Sequence, residues 1–240
     1  MSTPLVIVGA GGFSRETAEA VRCLNRVDPT WNLVCFADDD RRLWGSSVDG
    51  TQVRGPVADV VQHHPDAQVV VCTGRPDNYF SRPGLVARLG LPQQRYATIV
   101  HPTASVAVAT TIGLGSVVLA GVVVTAAASI GSHVAVMPGC IITHDDVIGD
   151  YATLASGVRL GGSVQIGTGA YIGAGALVRE ELTVGDWAMI GMGSLLTRSV
   201  PAEEQWFGSP ARFQRLVEIP AALRAVIGPS EATSQAGEGP

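Results

Sequence analysis

The chain has 240 residues and a net charge of −5, with 46% hydrophobic but only 5% aromatic residues and 29 glycines. All 16 basic residues are arginine, so lysine-borne cofactors, Schiff-base chemistry and a phosphate-loop lysine are excluded, and the acidic balance argues against a nucleic-acid binder. No run of about 18 apolar residues occurs, which excludes a membrane helix, and "MSTPLVIVGAGG" lacks the basic start of a secretion signal.

The first segment, "LVIVGAGGFSRETAEAVRCL", predicts a buried strand, a glycine turn and a helix with Ala18, Val21 and Leu24 on its buried side. Glycines 9, 11 and 12 let the backbone approach a phosphate or carboxylate at the helix N-terminus. "WNLVCFADDD" predicts a second strand ending in Asp38, Asp39 and Asp40, and "AQVVVCTG" a third, together a short α/β unit with parallel strands. A glycine turn plus an acid after the next strand resembles a dinucleotide fingerprint, but fewer than 100 residues is short for the full two-halved fold. The plainer alternative is that the acids cap a turn. Cys23, Cys35, Cys72 and Cys140 show no paired spacing, which predicts free thiols and a reducing cytoplasm.

After the linker "LPQQRYATIVHPTASV", every sixth residue from Val106 to Leu196 is aliphatic, without a slip. Neither a strand's period of two nor a helix's 3.6 explains this; a hexapeptide parallel β-helix does. Gly113, Gly131, Gly149, Gly167 and Gly185 recur every eighteen residues, so three hexapeptides make one triangular coil. The outward faces of "VVLAGVVVTAAA", residues 117–128, are apolar as well, which predicts side-by-side association of prisms, most simply as a homotrimer.

Within this prism "IITHDDVIGD" places His144 beside a corner, facing outward, with Asp145 and Asp146 directly after it. A solvated surface histidine is the simple reading. An adjacent carboxylate, however, fixes an imidazole's tautomer and raises its basicity. One coil further on stands Gly162, which leaves room for a ligand and offers a bare N–H to an oxyanion. Base, orienting acid and oxyanion donor are the parts of acyl transfer. His133 and His144, the only histidines in the repeat, are eleven apart and do not stack, so no metal site is expected.

"THDDVIGDYATLASGVRLGGSVQIGTGAYIGAGALV" and the closing "WFGSPAR" resemble the hexapeptide acyltransferases, and the whole plan resembles the sialic-acid and bacillosamine-type sugar acetyltransferases. The resemblance implies a small Rossmann-like domain (residues 1–98), a left-handed parallel β-helix (99–213) and a C-terminal extension (214–240), whose end "PSEATSQAGEGP" reads as disordered. It implies acetyl transfer from acetyl-CoA to an amino sugar, commonly nucleotide-linked, at a site between subunits. His144 matches the base, Asp145 the acid and Gly162 the oxyanion donor. Ala174 and Met192 match positions along the pantetheine arm, and Gly208 and Pro210 match the family's closing turn near the adenine end. Gly11, Gly12, Phe13, Asp38, Asp39 and Gly74 match acceptor-binding positions. The chain departs from the pattern at Phe13, where many relatives have histidine, and at Met137 and Ser163, where they often have asparagine. It departs again at Thr153, where a second histidine often touches acetyl-CoA. O-acetylation of a sugar hydroxyl and a non-catalytic metabolite-binding scaffold are the alternatives.

Overall fold

The computed structural model describes residues 2–227. The first unit contains β1 (Thr3–Val8), α1 (Gly12–Val27), β2 (Trp31–Ala37), β3 (Ser47–Val48), β4 (Thr51–Arg54), α2 (Val57–His63), β5 (Gln68–Val71) and α3 (Ser81–Leu89). Its sheet order is β3-β4-β2-β1-β5, parallel except for the β3–β4 pair. The continuous apolar run of β1 is explained by burial on both faces. Leu5 and Ile7 pack with Ala18 and Val21 of α1. Val6 and Val8 pack in a second cluster with Val57, Val60 and Val61 of α2, and Val86 of α3 adjoins it. This Rossmann-like layer holds the predicted helix face, with Ala18 and Val21 buried, and adds a β3–β4 hairpin that the sequence reading did not contain.

From Ile99–Val100 to Leu195–Leu196 the chain winds through two-residue strands into a left-handed parallel β-helix. Strands pair at the predicted spacing of eighteen, for example Val123 with Ile141, Ala135 with Thr153 and Val147 with Gln165. The inner aliphatic stack forms one core, closed at its end by Trp206 and Ala211 of an antiparallel hairpin, Glu204–Gly208 with Ala211–Leu216. Each corner passes through left-handed backbone at positions eighteen apart. One corner uses Gly121, Gly139, Gly157, Gly175 and Gly193; another uses Ala127, Asp145, Ser163 and Glu181; the third uses Gly115, His133, Tyr151, Gly169 and Trp187. Side chains rarely take such φ values, which tertiary packing must hold.

The third corner supports the N-terminal unit. His133 stacks on Tyr151 with ring centroids 5.1 Å apart and meets Tyr96 in a T-shaped contact with centroids 4.6 Å apart. The Tyr79 hydroxyl donates to the Trp187 carbonyl at 2.8 Å, and Arg82 Nη2 donates to the Tyr151 carbonyl at 3.0 Å. Burial first, then the nearby Arg82 charge, push the His133 pKa down to about 4, against a weaker opposing pull from Asp150. The unfolded chain therefore takes up a proton below about pH 6.5 that the folded chain refuses until about pH 4. We expect folding stability to be full above pH 6.5 and to fall by up to about 3 kcal/mol as pH drops from 6.5 to 4. Urea midpoints should show this slope in the native chain and not in His133→Gln; identical slopes in the two would contradict it.

The three faces of the prism differ. One, bearing Val117, Ala135, Thr153 and Tyr171, is buried. A second, with Thr111, Ser129, Gln165 and Thr183, is mostly polar. The third carries Val123, Ile141, Leu177 and Leu195 outward along with Ser105 and Arg159, and Val123 and Leu177 are exposed. This corrects the expectation for residues 117–128: Val117 and Leu119 are buried in the α1 cluster of the same chain. Of the two strands in that stretch, the one left open to solvent is Val123–Val124, on the face that also carries Leu177 and Leu195. Beyond the hairpin, α4 (Ala221–Ile227) lies against α3, and Leu223 joins Tyr79, Tyr171 and Trp187 in a small cluster. The stretch expected to be disordered, residues 229–240, lies outside the described residues. Among the described residues no helix is long and apolar enough to cross a membrane.

Candidate active site

Thr143 to Asp146 form the corner between the strands Ile141–Ile142 and Val147–Ile148. Asp145 takes φ 62° there, and its Oδ2 lies 2.9 Å from His144 Nδ1. A carboxylate on Nδ1 places the ring proton on that nitrogen and leaves the Nε2 lone pair free to accept. Both side chains are exposed to solvent. Asp146 does a different job. It is wholly buried and accepts the Thr143 N–H at 2.7 Å and the Val164 N–H at 2.8 Å, stapling this corner to the next coil. Desolvation raises its pKa against those two hydrogen bonds.

Gly162 sits beneath the imidazole. A Cβ placed on it would lie 2.3 Å from His144 Nε2 and 2.4 Å from Cε1. The space expected for a ligand is thus occupied by the ring itself, and glycine is needed for the ring to lie there. The neighbouring N–H groups are committed: Gly161 donates to the Val178 carbonyl at 2.8 Å, and Ser163 to the His144 carbonyl at 2.9 Å. The Gly162 N–H makes no hydrogen bond among the described residues. A free N–H and a free imidazole nitrogen therefore share one exposed corner.

A cleft of about 740 Å³ separates the N-terminal unit from the buried face of the prism. Gly11, Gly12, Phe13, Asp38 and Gly74 line it from one side, Thr153 and Ala174 from the other. Gly9 must be glycine, since φ is 101° and a Cβ would meet the Cys72 carbonyl at 2.9 Å. A Cβ on Gly11 or Gly12 would meet nothing within 4 Å, so the fold alone does not require glycine at either position. Gly11 caps α1 without a side-chain hydrogen bond, leaving the helix N-terminus bare. Asp38 holds the turn, accepting the N–H of Ala10 at 2.9 Å and of Asp40 at 2.8 Å. Asp39, expected beside it, is absent from the cleft wall. Its carboxylate accepts the Val57 N–H at 2.9 Å and pairs with Arg88. Asp40 takes its place in the wall, together with Arg82, Ser156 and Tyr171. The sequence reading missed Arg82 because "RPDNYFSRPG" shows no periodic pattern and no motif.

Met192 stands exposed one coil beyond Ala174, and the Gly193 N–H donates to the Ala174 carbonyl at 2.8 Å. The Gly208–Pro210 turn follows, with the Gly208 N–H 3.2 Å from Ser194 Oγ. These groups share the corner of Gly139, Gly157, Gly175 and Gly193, at one edge of the open apolar face. His144, Asp145 and Gly162 occupy the corner at its other edge. Neither the imidazole nor its partners line the cleft of their own chain. No group of three or more metal-ligating side chains is found among the described residues.

Residues 147–180 match the family described as bacterial transferase hexapeptide (six repeats). No curated protein matches the chain. Among solved structures, the chain is similar to the acetyltransferase domain of PglB from Neisseria gonorrhoeae FA1090 in complex with acetyl coenzyme A. Identity is 27% over 89% of this chain and 100% of that one, with a TM-score of 0.76. WeeI from Acinetobacter baumannii AYE is also 27% identical, over 88% of this chain and 100% of that one, with a TM-score of 0.73. A variant of perosamine N-acetyltransferase from Caulobacter crescentus, in complex with CoA and GDP-perosamine, shares the fold. It is 24% identical over 88% of this chain and 97% of that one, with a TM-score of 0.78. These likenesses uphold the resemblance to hexapeptide-repeat sugar acetyltransferases and the acyltransferase class that it implied.

Proposed function

We propose, starting from that likeness, that the chain transfers the acetyl group of acetyl-CoA to the amine of an amino sugar carried on a nucleotide. The observation that carries the reading is the His144–Asp145 pair, whose free ring nitrogen overlies Gly162 beside an unused N–H. In the proposed reaction the acceptor's neutral amine attacks the thioester carbon. His144 Nε2 takes the amine's proton while the carbonyl oxygen gains charge and accepts a hydrogen bond from the Gly162 N–H. Asp145 holds the ring and stabilises the imidazolium. The C–S bond then breaks and the imidazolium returns its proton to the departing thiolate, releasing coenzyme A and the amide.

The coenzyme would run past Ala174 and Met192 toward the Gly208–Pro210 turn, with Thr153 beside it in the cleft wall. The acceptor's sugar nucleotide would lie across Gly11, Gly12, Phe13, Asp38 and Gly74. Asp39 is dropped from that set. Because His144 and the Ala174–Met192 line occupy opposite edges of one apolar face, packing copies on that face sets the base of one beside the coenzyme line of the next. A homotrimer with three composite sites satisfies this most simply. Four unpaired thiols favour a cytoplasmic home.

Release of coenzyme A, followed colorimetrically with acetyl-CoA and a panel of sugars, tests the reading. Nucleotide-linked amino sugars should release thiol stoichiometrically with amide formation. Release only with hydroxyl acceptors would replace N- by O-acetylation, and no acetyl-CoA binding by calorimetry would leave a non-catalytic scaffold.

A further inference from the structure

Arg82, at the start of α3, is buried to 1% exposure and yet lines the cleft. None of the ion pairs among the described residues includes it. Among the described residues only its Nη2 is hydrogen-bonded, to the Tyr151 carbonyl at 3.0 Å and Thr153 Oγ1 at 2.5 Å. Its Nε is buried without a partner. A buried guanidinium that lacks a carboxylate is costly, and proteins normally pair one or replace it.

Among the described residues neither carboxylate of the cleft wall pairs with it. Asp38 is taken up by two backbone N–H groups. Asp40 pairs with Arg42 at 2.7 Å, and the remaining cation, Arg75, pairs with Asp77 at 2.9 Å. Burial draws the Arg82 pKa down to about 10, so the group keeps its charge at neutral pH. The same cleft holds the uncapped N-terminus of α1 and the unhindered glycines 11 and 12. A buried cation and a bare helix N-terminus in one cleft both favour an anion.

We infer that Arg82 is the anchor for the phosphates of the acceptor's nucleotide, gripping them together with the N-terminus of α1. This rests on the proposed nucleotide-linked acceptor. Through Thr153 Oγ1 the same guanidinium touches the wall assigned to the coenzyme, so a phosphate seated on it has a fixed position relative to the prism.

Calorimetry with the full chain tests this, using GDP, GMP and guanosine and the matching uridine series as probes. The native chain should bind one diphosphate about 10- to 100-fold more tightly than its nucleoside. Arg82→Gln should shrink that ratio to within about threefold, and Arg82→Lys should restore part of it, since a point charge lacks the guanidinium fork. If the glutamine variant does not fold, the lysine variant alone should still show a reduced ratio. Two results overturn the inference with the acceptor reading intact: an unchanged ratio, or equal weakening of all three forms as a purely structural arginine would give. A native chain that binds acetyl-CoA but no nucleotide overturns the acceptor reading and this inference with it.

Discussion

His144→Ala should lower kcat for acetyl transfer by about 10²- to 10⁴-fold, the usual contribution of a positioned general base. KM for acetyl-CoA should change little, because the imidazole is assigned to proton transfer and not to coenzyme binding. The ring is solvent-exposed and belongs to none of the hydrophobic clusters, so the variant should keep its thermal midpoint and its oligomeric mass. Steady-state rates beside size-exclusion light scattering separate the two effects. Asp145→Asn should fall between native and His144→Ala, since an amide can still accept from Nδ1 but no longer balances the imidazolium. A variant that turns over at the native rate while fully assembled would remove His144 from the chemistry.

Gly162→Ala should be nearly as damaging, through a single methyl group. Gly162 is not in left-handed backbone, so alanine meets no conformational strain there. The added Cβ would stand 2.3 Å from His144 Nε2, far inside contact distance, and the imidazole must swing away. In the single chain solvent lies open around the ring, so the displacement costs the protomer's fold little stability. It nevertheless separates the base from the free N–H, and a misplacement of about 1 Å can cost about 10²-fold in rate. We expect a loss of that order in kcat with an unchanged melting temperature. The double variant His144→Ala/Gly162→Ala should be no slower than His144→Ala alone, because the methyl group acts through the ring. Full additivity of the two losses would show that Gly162 matters for another reason.

The prism was legible in the sequence because each coil repeats the same steric demand. An inward aliphatic at every sixth residue cannot be mistaken for another period, and the glycines eighteen apart fix the coil length. The His144–Gly162 stacking followed from that register alone. What the register does not tell is the use of the space between stacked residues. Gly162 reads equally well as room for a ligand or as a seat for the ring, and only the position of Nε2 decides. Adjacent Asp145 and Asp146 look alike in a string, yet one faces solvent and the other is buried as a backbone staple.

Other parts were hidden for definite physical reasons. Asp39 and Asp40 follow the end of β2, where a shift of one residue turns a side chain from the cleft toward α2. The apolar 117–128 stretch reads as one greasy surface, but its strands belong to two faces, and α1 covers one of them. Left-handed corners occupied by His133, Tyr151 and Trp187 carry no glycine to betray them. Arg82 gains meaning only when α3 is docked on the prism, with Tyr151 and Thr153 at its tip.

The most direct measurement is a crystal structure of the chain with coenzyme A and an amino-sugar nucleotide bound together. The acceptor nitrogen should lie within hydrogen-bonding distance of His144 Nε2, with the coenzyme's sulfur end beside the Gly162 N–H and its pantetheine arm along Ala174 and Met192 of a neighbouring copy. Coenzyme A seated away from that corner, or an imidazole with no ligand atom near it in a fully occupied complex, would contradict that placement.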